Sequence, residues 1–161
     1  MTEEAKTEGH RGHHDGGFTL VEIMVVVLVI GILLAIGIPT FLGARERAQD
    51  RSAQTSLRTG QTTASVLFTD DTTFTDATTA ALAAAEPGLS WLAAGTASTD
   101  DSLVSVAFTV DGTEWAGATM SASGTCFFIH LDSGAATTYG STTTASNCTG
   151  TQALSAASTS W

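Results

Sequence analysis

From residue 59 to residue 161 the chain has no lysine and no arginine. The same stretch carries Asp70, Asp71, Asp76, Glu86, Asp100, Asp101, Asp111, Glu114 and Asp132. Such a surface repels a phosphate backbone, so nucleic acid is not an expected partner. Cysteine is scarce: only Cys126 and Cys148 are present, with no histidine or further cysteine at metal-ligand spacing beside them. That excludes a zinc site, and no metal or other cofactor is expected. No nucleophile, base and orienting group are recognisable together, so an enzyme is not expected. His130 alternates with Phe127, Ile129 and Leu131 and reads as a structural residue. Two readings of the cysteines stay open. One is a disulfide, expected if this region lies outside the cytoplasm and stabilising by roughly 3 kcal/mol on the chain-entropy model. The other is a pair of buried thiols.

What is present is unevenly placed. The net charge is −10 over 161 residues, which suits one modest domain plus an accessory segment. Residues 1–17 are polar and rich in Gly and His, with no apolar periodicity. His10, His13 and His14 have no scaffold to fix ligand geometry and read as part of a tail. Residues 23–44 then run without a single charge, long enough to cross a bilayer as a helix. This run is too long for the apolar part of a secretory signal, and its far end matches a small-residue cleavage site only loosely. Any cut is expected before the run. Gly31, Gly37 and Pro39 weaken a helix in water but are tolerated in lipid or in a bundle, and Pro39 removes one helical hydrogen bond. Glu22 sits at the edge of the run, where an ionisable group is either functional or simply at headgroup depth.

The segment GFTLVEIMVVVLVIGILLAIGIP, residues 17–39, resembles the N-terminal signature of type IV pilins and pseudopilins. The resemblance implies a prepilin cut by prepilin peptidase between Gly17 and Phe18. It implies N-methylation of Phe18. It implies that Glu22 meets the new amino group of a neighbouring subunit during assembly, and that Pro39 loosens the helix. The physics of Glu22 agrees: an unpaired carboxylate in a low-dielectric bundle is unfavourable, and an ammonium offsets its desolvation while setting register. Partners implied are identical or related pilin subunits, prepilin peptidase and the membrane assembly machinery. The location implied is a single-pass cytoplasmic membrane protein before assembly and an extracellular filament afterwards. One feature departs from this pattern. The leader is acidic, while Arg45, Arg47, Arg51 and Arg58 follow the apolar run; by charge bias alone the C-terminal region would face the cytoplasm.

The remainder divides into a cleaved leader (1–17), a hydrophobic transmembrane and assembly helix (18–44), an amphipathic continuation (45–69) and a head domain (70–161). The two helical parts together span about 50 residues, roughly 75 Å at 1.5 Å per residue. Gly60 interrupts the continuation, and Asp70-Asp71 with Thr72-Thr73 break it. Asp76 is expected to cap a short helix ending at Ala85, before Pro87-Gly88. Leu89, Trp91 and Leu92 read as core or groove residues in a connection. Strands are expected at 103–110, 115–122, 126–131 and near 137–139, with Asp111-Gly112 as a hairpin turn. In the first of them Val104, Val106, Phe108 and Val110 share one face. The fold class is therefore α+β, a long helix packed on a small antiparallel sheet of three or four strands. Asp70-Asp71 and Asp100-Asp101 are weak calcium candidates, more simply solvated pairs, and Asn147-Cys148-Thr149 fits a glycosylation sequon. The function expected is a structural subunit of a type IV pilus-like filament. The alternatives are a pseudopilin of a type II-like secretion system and a monomeric membrane-anchored binding protein. DNA uptake is disfavoured by the acidic head.

Overall fold

The computed structural model describes residues 17–161. It contains two compact units, one ending at Thr40 and the other spanning Phe41–Trp161. The elements in chain order are α1 (Leu20–Asp71), α2 (Thr79–Ala85), β1 (Ser90–Leu92), β2 (Leu103–Phe108), β3 (Glu114–Met120), β4 (Cys126–Asp132), β5 (Thr138–Thr142), a 3-10 turn (Ala145–Asn147) and α3 (Gly150–Ala153). The class is α+β.

In the first unit the chain is helical from Leu20, and every residue from Gly17 to Thr40 is exposed. A stretch of α1 reaches a mean hydropathy of 3.0. Apolar side chains dominate this segment all round, which is the pattern of a helix with a non-aqueous surrounding.

In the second unit α1 changes character. Ala53, Leu57, Gly60 and Ala64 are buried on one face at helical spacing. They join Val104, Val106, Trp115, Phe127, Ile129 and Leu131 from one face of the sheet. Gly60 does not end the helix. A side chain there would meet the rings of Trp91 and Trp115, at 3.3 and 3.5 Å, so the missing side chain admits two indoles. Asp70 and Asp71 do not break the helix either; it runs through Asp71, and Thr72 leaves it at φ 56°.

The sheet has five strands in the order β1-β2-β3-β4-β5. Four form an antiparallel meander, and β1 is a parallel edge strand with Trp91 paired to Val104. The segment read as a connection thus supplies a strand. The hairpin at Asp111-Gly112 is present, with Gly112 at φ 71° beside Thr73. The strand before it ends at Phe108, so Val110 does not share the buried face of Val104 and Val106 and is 99% exposed. The short helix begins at Thr79 with Thr78 as its cap; Thr78 Oγ1 accepts the Ala81 amide at 3.3 Å. Asp76 does not cap it, because it lies too far upstream for its side chain to reach the first orphan amides.

The opposite face of the sheet is also covered. Ala116, Ala118, Met120, Cys126 and Phe128 pack with Cys148 and Ala153. Cys126 and Cys148 are joined in a disulfide closing a separation of 22 residues. α3 lies close against β2, because a side chain at Gly150 would sit 2.6 Å from the Ala107 backbone nitrogen. Beyond α3 the chain pairs Ser158 with Tyr139. Trp161 packs edge-on to Phe127 and Tyr139, under the guanidinium of Arg58 at 5.2 Å.

Candidate functional site

The residues singled out for processing and assembly cluster at the start of α1. Gly17 and Phe18 precede the helix and are exposed, Phe18 at 78%. Thr19 is the cap: its Oγ1 accepts the Glu22 amide at 3.2 Å. Thr19 and Glu22 stand at the spacing of a capping box, a local signal that reading the segment for hydropathy alone passes over. Glu22 occupies the first helical turn, where a carboxylate gains roughly 0.3–1 kcal/mol from the exposed amides and helix dipole. Among residues 18–44 it is the single charge. Pro39 lies inside α1, and Thr40 Oγ1 donates to the Ile36 carbonyl at 3.1 Å. The leader, with His10, His13 and His14, lies outside the described residues apart from Gly17.

In the second unit one arrangement has the outline of a catalytic relay. His130 Nδ1 lies 3.3 Å from Thr138 Oγ1, and its Nε2 lies 3.6 Å from Glu114 Oε2. The hydroxyl proton of Thr138 is already given to the Ala156 carbonyl at 2.6 Å. The Thr138 hydroxyl is thus engaged in a contact with the C-terminal segment. The trio ties β3, β4 and β5 to the C-terminal segment. Cys126 and Cys148 likewise hold structure together.

The acidic pairs have local duties. Asp100 accepts from the Ser102 hydroxyl at 2.6 Å and amide at 2.8 Å, which holds its carboxyl below the ordinary value. Asp101 accepts from Ser52 Oγ at 2.5 Å, and Asp50 accepts from Ser123 Oγ at 2.5 Å, so both tie α1 to head loops. Among the described residues no three His, Cys, Asp or Glu side chains converge to hold a metal ion. Asn147 of the sequon is exposed in the 3-10 turn, while its neighbour Cys148 is buried in the disulfide.

Comparison with known proteins fits the first cluster. Residues 12–38 match the model of the prokaryotic N-terminal methylation motif. The type IV major pilin protein PilA of Myxococcus xanthus is 40% identical over 60 residues, 37% of this chain and 27% of that protein. The competence protein ComGC of Halalkalibacterium halodurans is 40% identical over 50 residues, 31% of this chain and 49% of that protein. The type II secretion system core protein G of Vibrio cholerae is 46% identical over 41 residues, 26% of this chain and 28% of that protein. The chain thus carries the prepilin methylation motif, and its homologues are type IV pilins, a competence protein and type II secretion core proteins. It spans about a quarter to a half of the length of these relatives. No solved structure matches it.

Proposed function

We propose that this chain is a structural subunit of a type IV pilus-like filament, made as a membrane-anchored prepilin and polymerised through its apolar helix. The observation that carries this is residues 18–42 themselves. They present large apolar side chains to the outside, from Phe18 at 78% to Leu42 at 49% exposed, with Glu22 as the one charge. Water is an unfavourable surrounding for such a surface: at roughly 25 cal/mol per Å² its burial in lipid, and then against other copies, is the dominant gain. The domains follow as a leader (1–17), an anchor and assembly helix (18–44), its amphipathic continuation (45–69) and a head (70–161).

Each residue at the start of the helix then has a role. Prepilin peptidase cuts between Gly17 and Phe18, and the new amino group on Phe18 is methylated. Glu22 neutralises that ammonium on a neighbouring copy once both leave the polar headgroup zone. Pairing sets axial register, because a carboxylate buried without its partner is strongly disfavoured. Pro39 removes one backbone hydrogen bond where the helix loosens as copies pass from bilayer to filament. The assembled location is extracellular. The matches to type II secretion core proteins favour one second reading, a pseudopilin that builds a short filament of the same kind.

The direct test is mass spectrometry of the N-terminus in assembled material. A chain starting at Phe18, 14 Da heavier when methylated once, is the expected result on the mass of one CH₂ added to an amine. An intact leader in filaments would overturn the processing route. Replacing Glu22 with Ala should leave the protein in the membrane and lower filament yield by at least about tenfold, since a buried unpaired ammonium costs several kcal/mol. Normal yield from that variant would remove Glu22 from the assembly step.

A further inference from the structure

Part of the charge of the second unit is grouped by sign: three arginines share a face of α1, and six of the eleven acidic residues lie toward its far end. Arg47, Arg51 and Arg58 are spaced by four and then seven residues, so they share one face of α1. All three are exposed. The nearest acids in the chain point elsewhere: Asp50 is held by Ser123 Oγ at 2.5 Å. Among the described residues the one ion pair is His130 with Glu114, so these guanidinium groups have no carboxylate partner of their own chain.

Glu46 and Asp50 stand among the arginines in sequence, and Asp101 is bonded to Ser52, but six other acids lie toward the far end of the unit. Asp70 and Asp71 finish α1, and Asp76 follows in the next turn. The Phe74 amide donates to the Gly112 carbonyl at 2.9 Å, which brings up the hairpin bearing Asp111 and Glu114. The Ser133 amide donates to the Thr113 carbonyl at 2.9 Å, and Glu114 stands in register with Asp132. Six carboxylates scattered between residues 70 and 132 thus make one end of the unit acidic, with Glu114 and Asp132 on the sheet face opposite α1. The end of a helix is already the negative end of its dipole, so Asp70 and Asp71 worsen that field. They do not converge on a point as metal ligands do; they spread over a surface.

We propose that this acidic pole docks on the Arg47–Arg51–Arg58 stripe of a second copy. The inference deepens the filament reading and rests on it. The two surfaces differ, so the contact is head-to-tail and leaves each end open for another copy, which is the geometry of an open array. The stripe lies 13 to 24 residues before Asp71, so the second copy is displaced by about 20–36 Å along the helix axis. Exposed pairs of this kind contribute modestly to affinity and more to on-rate, direction and rejection of wrong registers. The position of the arginines just beyond the apolar run, unexpected on charge-bias grounds alone, then has a reason: they serve assembly.

The test uses the full chain in assembled filaments and introduces thiols into a protein whose own cysteines are bonded. One copy carries Arg51→Cys and the other Asp71→Cys, expressed together and oxidised. A cross-linked dimer that needs both variants is the expected result. Dimers from either variant alone would mean a symmetric contact, and no dimer at all would mean no such contact; each overturns the docking. Filaments of normal yield that carry no such cross-link overturn the docking and leave the filament reading standing. In filament-forming cells, Arg47→Glu with Arg51→Glu should lower yield at least about fivefold, and Asp70→Arg with Asp71→Arg and Asp76→Arg should do the same. Combining both sets in one chain should restore yield to within about twofold. If the reversed arginines instead release the protein from membranes and the combined chain is not restored, the stripe serves anionic lipid headgroups and the docking is wrong. Absence of filaments from the unaltered chain would sink the filament reading and the docking with it.

Discussion

Residues 17–40 and residues 41–161 are built from the same alphabet to opposite ends. In the first, Ile23, Val27, Ile30 and Leu34 are about half or more exposed. In the second, Leu57, Val104, Trp115 and Ile129 have no exposed surface at all. Apolar side chains in the first therefore gain their free energy outside their own unit, from lipid or from other copies. Those in the second gain it internally, against one sheet. A helix that continues from one setting into the other must change its pattern. It is apolar all round before Thr40; from Ala53 on, its buried residues, Ala53, Leu57, Gly60 and Ala64, lie on one face. The lesson is that burial in the folded chain measures different things in the two regions: completeness in the head, and unmet demand in the anchor.

That contrast can be broken by experiment. The three tryptophans, Trp91, Trp115 and Trp161, all lie in the second unit, so their fluorescence reports denaturation of that unit in detergent-solubilised protein. The largest effect is expected from Leu57→Ala, which removes a fully buried side chain and should destabilise the head by about 2–5 kcal/mol. The paired control, Leu33→Ala at 65% exposure, should change the same transition by less than about 0.5 kcal/mol. Equal effects would erase the distinction between the units.

Reduction of Cys126–Cys148, or Cys126→Ser with Cys148→Ser, should lower head stability by about 3 kcal/mol, given the 22-residue separation. In thermal scans that corresponds to roughly 10–20 °C for a domain of this size. Membrane retention should not change, because the anchor contains no cysteine. A smaller loss, about 1–3 kcal/mol, is expected for Gly60→Val, where the new side chain must displace the Trp91 and Trp115 rings. Gly37→Val in the anchor, with nothing within 4 Å, should leave the tryptophan transition where it was.

The smallest effect is on acid stability. Ser102 hydrogen bonds hold the Asp100 carboxyl below its ordinary 3.8, and Thr109 and then Thr113 act similarly on Asp111. Both groups are thus more readily ionised in the folded chain than in the unfolded one. Their contribution is present above pH 3.8 and is lost as pH falls through the lower folded value. Denaturation midpoints should decline below pH 3.8, and Asp100→Asn should make that decline shallower. A steeper decline in the variant would contradict the hydrogen-bond assignment.

Much of this architecture is legible residue by residue, and the exceptions have physical reasons. The hairpin at Asp111-Gly112 is a local signal, because only the glycine readily accepts φ 71°. Gly17, Phe18 and Glu22 stand out in the sequence because they lie beside an unbroken apolar run. β1 is not legible: three residues, Ser90 to Leu92, have too little periodicity to distinguish a strand from a connection, and their pairing with β2 is parallel. β5, expected near 137–139, is present at Thr138–Thr142; its extension through Gly140 and Ser141 has no distinctly apolar face. α3 is four residues long and is held by the close approach of Gly150 to β2 and the neighbouring disulfide. Gly60 reads as a helix interruption in isolation, since its reason is two indole rings distant in the chain.

The amino-acid order alone determined the apolar helix, the lone Glu22 at its start and the change of pattern after residue 44, because hydropathy and the peptide's own caps act over a few residues. It also determined the imbalance of charge. Where that charge lies was decided only by the tertiary structure. Strand register set Glu114 beside Asp132, and the contact of Phe74 with Gly112 carried the hairpin to the end of α1. Six carboxylates dispersed over more than sixty positions in the chain thereby came to one end of the unit, and electrostatic fields depend on distance in space and not along the backbone.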